Sequence, residues 1–221
     1  MAQASRTSSG SAGLSDDPIE NISTWLQLNM RPIAIGAAVV LIGAGAVYGY
    51  RVMDENKREQ ANKELYEATG PMQAGKLPEA EAALEKVSKQ FAGTSSGSQA
   101  ALLLAQVMFD QKKYAEGITK LEAFKASAGA DFSASVEALE AAGYEAQGKF
   151  DLAAEHYGKA AAAAKFPLDR ASNQANQARS LTSAGKNAEA KKIWEELAKD
   201  ESLPFAQEAQ VRLGEIAGAG K

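Results

Sequence analysis

The chain carries one imidazole, His156, and no thiol. With no cysteine there is no disulfide staple, thiolate metal site or lipidated cysteine. With one histidine there is no His pair, and no Asp-rich loop offers metal-ligand spacing. No nucleophile has a base partner readable from the sequence. His156 precedes Tyr157 in FDLAAEHYGKA, at a helix position expected to face solvent. It reads as a surface histidine, not a general base. No catalytic residue, cofactor site, metal site or small-molecule substrate is expected. Another motif with possible chemistry is VVLIGAGAVYGY, residues 39 to 50, with Gly43, Gly45 and Gly49. A dinucleotide loop needs G-x-G-x-x-G between a strand and a helix. Here the last spacing is one residue too long, and no parallel strands follow.

The same stretch makes better sense as a membrane span. Ile33 to Tyr50 is 18 residues without a charge, bounded by Arg31 and Arg51. As a helix it covers about 27 Å, the short end for a bilayer core. Tyr48 and Tyr50 sit where interfacial aromatics belong. Gly45 and Gly49 form a G-x-x-x-G pair, and Ala34 and Ala38 a small-x-x-x-small pair. Both are candidate helix-packing positions, although an Ala/Gly-rich composition also yields such spacings by chance. The expected segments are a disordered tail at 1–15, a short amphipathic helix at 16–31 and the span at 32–50. In the second, Asp17 caps, Pro18 fits N1, and Ile19, Ile22, Leu26 and Met30 share a face.

Beyond the span a charged helix is expected at 51–69, where Gly and Pro are absent up to Ala68. A repeat follows: AGKLPEAEAALEKV from 74, QKKYAEGITKLEAF from 111, QGKFDLAAEHYGKA from 147 and AGKNAEAKKIWEEL from 184. The turn residues Gly75, Lys112, Gly148 and Gly185 are spaced 37, 36 and 37 apart, the mark of a helical repeat array. A left-handed glycine should end each first helix, with the lysine meeting the negative helix end. Five places on stand small residues, Ala80, Gly117, Ala153 and Ala190; four further stand Leu84, Leu121, Tyr157 and Trp194. Leu77, Tyr114 and Phe150 plug the turn, and Ala68, Ala105, Ala141 and Ala178 are the close-contact positions of the first helices. Pro71 is expected to interrupt the first opening helix. Glu85/Lys89, Glu116/Lys120, Glu155/Lys159 and Glu195/Lys199 suggest i,i+4 pairs on a solvated face. PFAQEAQVRLGEIAG should close the array.

These columns resemble the tetratricopeptide repeat, with a period of 36 to 37 in place of 34 and the repeat-ending prolines, Pro167 and Pro204, displaced. The expected fold is all-α: one N-terminal transmembrane helix, then an α-solenoid of about four tetratricopeptide-like helix pairs at 70–217 with a C-terminal capping helix, and a tail at 218–221. In such repeats the first helices line the concave side. By position that side includes Gln106, Phe109, Glu145, Arg179 and Thr182. Phe109 is either an exposed binding anchor or core; interhelical filling favours core.

The layout, with its span and exit RPIAIGAAVVLIGAGAVYGYRVMDENKREQANKELYEA, resembles the YfgM family of single-pass inner-membrane proteins, ancillary subunits of the SecYEG translocon. The resemblance implies a cytoplasmic N-terminus, periplasmic repeats, and protein partners: SecYEG and a membrane-anchored chaperone such as PpiD. It carries no site residues with it. Against this topology, Arg51, Lys57, Arg58 and Lys63 follow the span while Arg31 alone closely precedes it. A literal positive-inside count would reverse the orientation, but the rule weakens beside a long translocated domain. The net charge of −4 gives no bulk electrostatic basis for nucleic-acid binding. The alternative function is a scaffold or regulatory subunit of another inner-membrane complex.

Overall fold

The computed structural model describes residues 18–219; the tail at 1–15, the Asp17 cap and the last two residues lie outside them. All regular structure among the described residues is helical. α1 runs Pro18–Gln73, α2 Leu77–Gln90, α3 Ser95–Asp110, α4 Tyr114–Lys125, α5 Ser133–Ala146, α6 Phe150–Ala163, α7 Pro167–Ser183, α8 Asn187–Leu197 and α9 Ala206–Ala219. The chain divides into two compact units, 1–55 and 56–221.

The first unit contains the apolar part of α1. This helix is long and apolar enough to cross a membrane. Its large side chains are open to the surroundings: Val40, Leu41 and Ile42 are each about 70% exposed. A soluble core helix would bury them, because each buried aliphatic side chain is worth about 1.5–3 kcal/mol. Gly43, Gly45 and Gly49 all lie on this helix and not in a loop. From Pro18 on, the segments expected separately at 16–31, 32–50 and 51–69 fall on α1, which runs through Pro32. A proline inside a helix removes one N–H bond and crowds the carbonyl four residues back, here that of Leu28, yet the helix continues.

In the second unit the helices pair as the repeat requires: the last part of α1 with α2, α3 with α4, α5 with α6 and α7 with α8. Each hairpin turns on one left-handed residue, and the four are those the spacing singled out: Gly75, Lys112, Gly148 and Gly185, with φ of 72°, 63°, 71° and 78°. At every turn the next lysine donates its backbone N–H five residues back: Lys76 to Pro71 O, Lys113 to Met108 O, Lys149 to Tyr144 O and Lys186 to Leu181 O, at 2.8–3.0 Å. This is the Schellman arrangement, which satisfies carbonyls left over at a helix end. The lysine thus meets the helix end through its backbone. Its side chain goes elsewhere: Lys76 to Glu79, Lys113 to Glu81, Lys186 to Asp151, and Lys149 over the Tyr144 ring. Pro71 does not interrupt α1. It sits in the last turn, where its carbonyl anchors the first of these motifs.

The small and large columns are buried in all four hairpins. Ala80, Ala153 and Ala190 are fully buried, as are Leu84, Leu121 and Trp194; Gly117 and Tyr157 are buried too. Ala68, Ala105, Ala141 and Ala178 face them from the first helices and are equally buried. Methyl-sized side chains on both helices let the backbones approach, and the large residue one turn on fills the wedge between them. Leu77, Tyr114 and Phe150 are half-buried at the turns. Phe109 is half-buried and turned toward the core: its ring packs with Ala105, Leu121 and Val136 and lies against Gly117 and Gly143. A Cβ on Gly117 would stand 2.5 Å from the Phe109 ring, and one on Gly143 2.7 Å. Gly117 makes room for that aromatic, and Gly143 for it and for the Ile118 side chain, which a Cβ there would meet at 2.9 Å.

The displaced prolines start helices instead of ending them. Pro167 occupies the first turn of α7, where a missing N–H costs nothing, and Pro204 precedes α9. α9 then covers the last hairpin. Ala206 and Ala209 are buried, and Ala209, with Leu213 and Ile216 beside it, packs against the cluster of Leu181, Ala190, Trp194 and Leu197.

The ion pairs differ from the expected ones in half of the cases. Glu85–Lys89 at 2.9 Å and Glu155–Lys159 at 2.6 Å form within their helices. Lys120 reaches back to Glu85 on α2 at 2.7 Å instead of Glu116, and Lys199 turns to Glu196 at 2.5 Å instead of Glu195. With Glu81–Lys113 and Asp151–Lys186, the Lys120 bridge joins second helices of successive hairpins. Stacking places those helices side by side, a proximity invisible to i,i+4 counting.

Candidate functional site

The expected concave-side residues do not behave as one set. Gln106 and Thr182 are exposed, and Thr182 donates to Ala178 O. Phe109 is half-buried, its ring packed against Ala105, Leu121 and Val136. Glu145 and Arg179 are half-buried and engaged: Tyr157 donates its hydroxyl to Glu145 at 3.0 Å, and Arg179 forms a fork with Glu208 of α9 while donating to Asn176. Burial and the Glu145 carboxylate push the Tyr157 phenol far above its ordinary range. Hydrogen bonding to Arg179 holds the Glu208 carboxyl below the usual carboxylate value. The fork fastens α9 to α7, so Arg179 has a structural duty already. A groove of about 570 Å³ lies between α6 and α7, lined by Glu155, Lys159, Arg170, Gln174 and Gln177. None of the five sequence candidates lines it. Ala34, Ala38 and Gly45 are exposed on α1, and a Cβ at Gly45 or Gly49 would meet nothing within 4 Å. Among the described residues, nothing in the chain packs on these glycines.

The cluster that sequence reasoning missed surrounds His156. It was expected at the surface, but its side chain is only 15% exposed. The hairpin turning at Gly148 is the reason. In an antiparallel pair, positions equidistant from the turn face each other, and His156 and Glu140 are each eight places from Gly148. Glu137 lies one helical turn before Glu140 on the same face. His156 Nδ1 stands 2.8 Å from Glu137 Oε2 and 3.0 Å from Glu140 Oε2. The imidazole lies against the Tyr144 ring, centroids 5.1 Å apart. Lys125, from the end of α4, extends its ammonium to Glu137 and, at 3.4 Å, to Glu140.

Two carboxylates are buried here against one lysine. Glu137 is 7% exposed and Glu140 1%, while Lys125 is 41% exposed. Burial pushes the Glu140 carboxyl above the ordinary carboxylate range, against the pull of Lys125. Burial acts against the Lys125 charge as well, but Glu137 and Glu140 outweigh it and hold the ammonium above its usual value. Glu140 Oε1 has no hydrogen-bond partner. An unmatched buried carboxylate oxygen is costly, so this cluster is not explained by stability alone. The corresponding positions in the other hairpins do not repeat it. His156 corresponds to Ala83, Lys120 and Ile193 in the other hairpins, and Glu140 to Glu67, Leu104 and Gln177.

Two comparisons with known proteins place the fold. The profile of the "Tetratricopeptide repeat-like domain" family matches residues 62–174, just over half of the chain. Two solved structures align over 74% of this chain with a TM-score of 0.58 and 20% identity. They are the nearly identical TPR-like repeats of a Podosopora anserina protein described as a kinesin light chain, and a single-substitution variant of them; 88% and 87% of those chains are covered. No curated protein matches the sequence. At that identity the structures speak for the solenoid fold alone. The family match, the four Schellman turns and the buried alanine columns agree, and the chain belongs to the tetratricopeptide repeat-like domain family.

Proposed function

We propose that this chain is a membrane-tethered protein-interaction module acting as an ancillary subunit of the Sec translocon, joining SecYEG to a periplasmic, membrane-anchored chaperone of the PpiD kind. Repeats of this family are protein-interaction scaffolds. The observation that carries the membrane part is the uncharged stretch of α1, whose aliphatic side chains are exposed among the described residues. One chain therefore combines a helix suited to lipid with an interaction array, and the YfgM-like layout supplies the translocon reading. In this reading the N-terminus is cytoplasmic, the repeats are periplasmic, and Ala34, Ala38, Gly45 and Gly49 pack against another membrane helix. Partner proteins bind the array through its exposed helix faces, including Gln106 and Thr182.

Crosslinking in intact membranes followed by pull-down from detergent tests the proposal. Recovery of translocon subunits and the chaperone is expected, and Gly45→Leu with Gly49→Leu should reduce it. Recovery of a different membrane complex without translocon subunits would establish the alternative, a scaffold or regulatory subunit elsewhere. Orientation is read separately with a topology reporter fused after Lys221. Activity of a cytoplasmic reporter alone would reverse the placement of the repeats.

A further inference from the structure

We propose that Glu137, Glu140 and His156 form a binding site for one divalent first-row transition ion, with Zn2+ the best fit. The inference is independent of the translocon reading. One donor atom from each residue lies within 4.8 Å of the others. Zinc takes imidazole nitrogen and carboxylate oxygen at about 2.0–2.2 Å, so donors in a tetrahedral site stand about 3.3 Å apart. The two histidine–carboxylate separations, 2.8 and 3.0 Å, need to open by only a few tenths of an ångström. Three protein donors leave a position for water, and the N/O donor set without thiolate suits Zn2+, Co2+ or Ni2+ better than Cu+.

Charge points the same way. Two buried carboxylates face one ammonium, leaving the cluster short of positive charge when the imidazole is neutral. A divalent ion would balance both carboxylates. Lys125 can give way, since its side chain is 41% exposed and its stem leads to solvent. Glu140 Oε1, buried and unpartnered, supplies a further lone pair for bidentate contact. The third hairpin alone carries this trio, so repeat packing does not demand it. The ion would tie α5 to α6 at mid-hairpin, a crosslink the other hairpins lack. Binding through Nδ1 leaves the imidazole neutral with its proton on Nε2, releases any second proton to solvent, displaces the ammonium contact and needs no redox partner.

The test uses the full chain in detergent, without a polyhistidine tag, because His156 is the sole imidazole. Co2+ titration should give one ion per chain with the visible absorption of a low-coordinate site. Zn2+ at about a hundredfold excess over its Kd should raise the thermal midpoint by about 5–10 °C. H156Q and E137Q should each abolish the cobalt band. K125Q removes the resident cation: it should lower the midpoint without metal, bind Zn2+ about tenfold more tightly, and regain its stability when Zn2+ is added. An undiminished cobalt band in H156Q, or a K125Q chain that Zn2+ does not stabilise, would overturn the site. Should H156Q fail to fold, K125Q still decides.

Discussion

Replacing Gly117 by alanine inserts one methyl where the other three hairpins already carry it, at Ala80, Ala153 and Ala190. By helix propensity alone the change stabilises by about 1 kcal/mol. The structure predicts the opposite sign. The new Cβ would stand 2.5 Å and 2.9 Å from two carbons of the Phe109 ring and 3.3 Å from Ala105 O. Ordinary contact needs about 3.5–4.0 Å, so the ring must retreat by about 1 Å. Its far side is blocked, because Gly143 is held glycine by the same ring. Overpacking of this kind costs about 1–3 kcal/mol, and taking the upper end for a boxed ring leaves a net loss of about 1–2 kcal/mol. Phe109→Leu removes the obstruction at its own cavity cost. In that background Gly117→Ala should become neutral or stabilising, a coupling of about 2 kcal/mol. Urea midpoints of the four proteins by far-UV circular dichroism provide the cycle. A Gly117→Ala chain at least as stable as wild type, or one equally destabilised with and without Phe109, would refute the reasoning.

The turns offer a second expectation. Lys112 holds φ 63°, a conformation costing an L-residue about 1 kcal/mol, so Lys112→Gly should stabilise by about 0.5–1 kcal/mol while Gly148→Ala destabilises similarly; thermal midpoints moving the other way would contradict this. Hydrogen bonds from Lys120, first, and Lys89 lower the Glu85 carboxyl to about 2 from 4.5. A depressed carboxyl contributes stability that is present above pH 4.5 and lost as pH falls toward 2. The midpoint gap between wild type and Glu85→Gln should therefore close across that window, by a small amount since the pair is exposed. Trp194 is fully buried beneath α9, and Trp194→Ala should cost about 3–5 kcal/mol, read as a lowered urea midpoint.

The fold was legible because its signals are local and repeat. The glycine-lysine turns, the alanine columns and the large residue nine places after each turn can all be aligned without knowing any contact. What escaped depends on proximity across helices. Pro71 looked like a breaker because its ring cannot continue a ladder, yet in the last turn it only needs to accept. Lys120 looked like a partner for Glu116, but stacking brings Glu85 closer. His156 looked exposed by column, whereas reflecting the sequence about Gly148 would have set it opposite Glu140. That reflection was the available signal. Arg179 was expected on the concave side, and its partner Glu208 could not be foreseen because it belongs to a helix outside the repeat register.

α9 seats over the fourth hairpin, with Ala209 against Trp194 and Leu197 and Glu208 on Arg179. Cutting the chain after residue 205 would lay that apolar face open to water and leave the Arg179 guanidinium without its carboxylate, so the truncated chain should expose a sticky surface at the fourth hairpin.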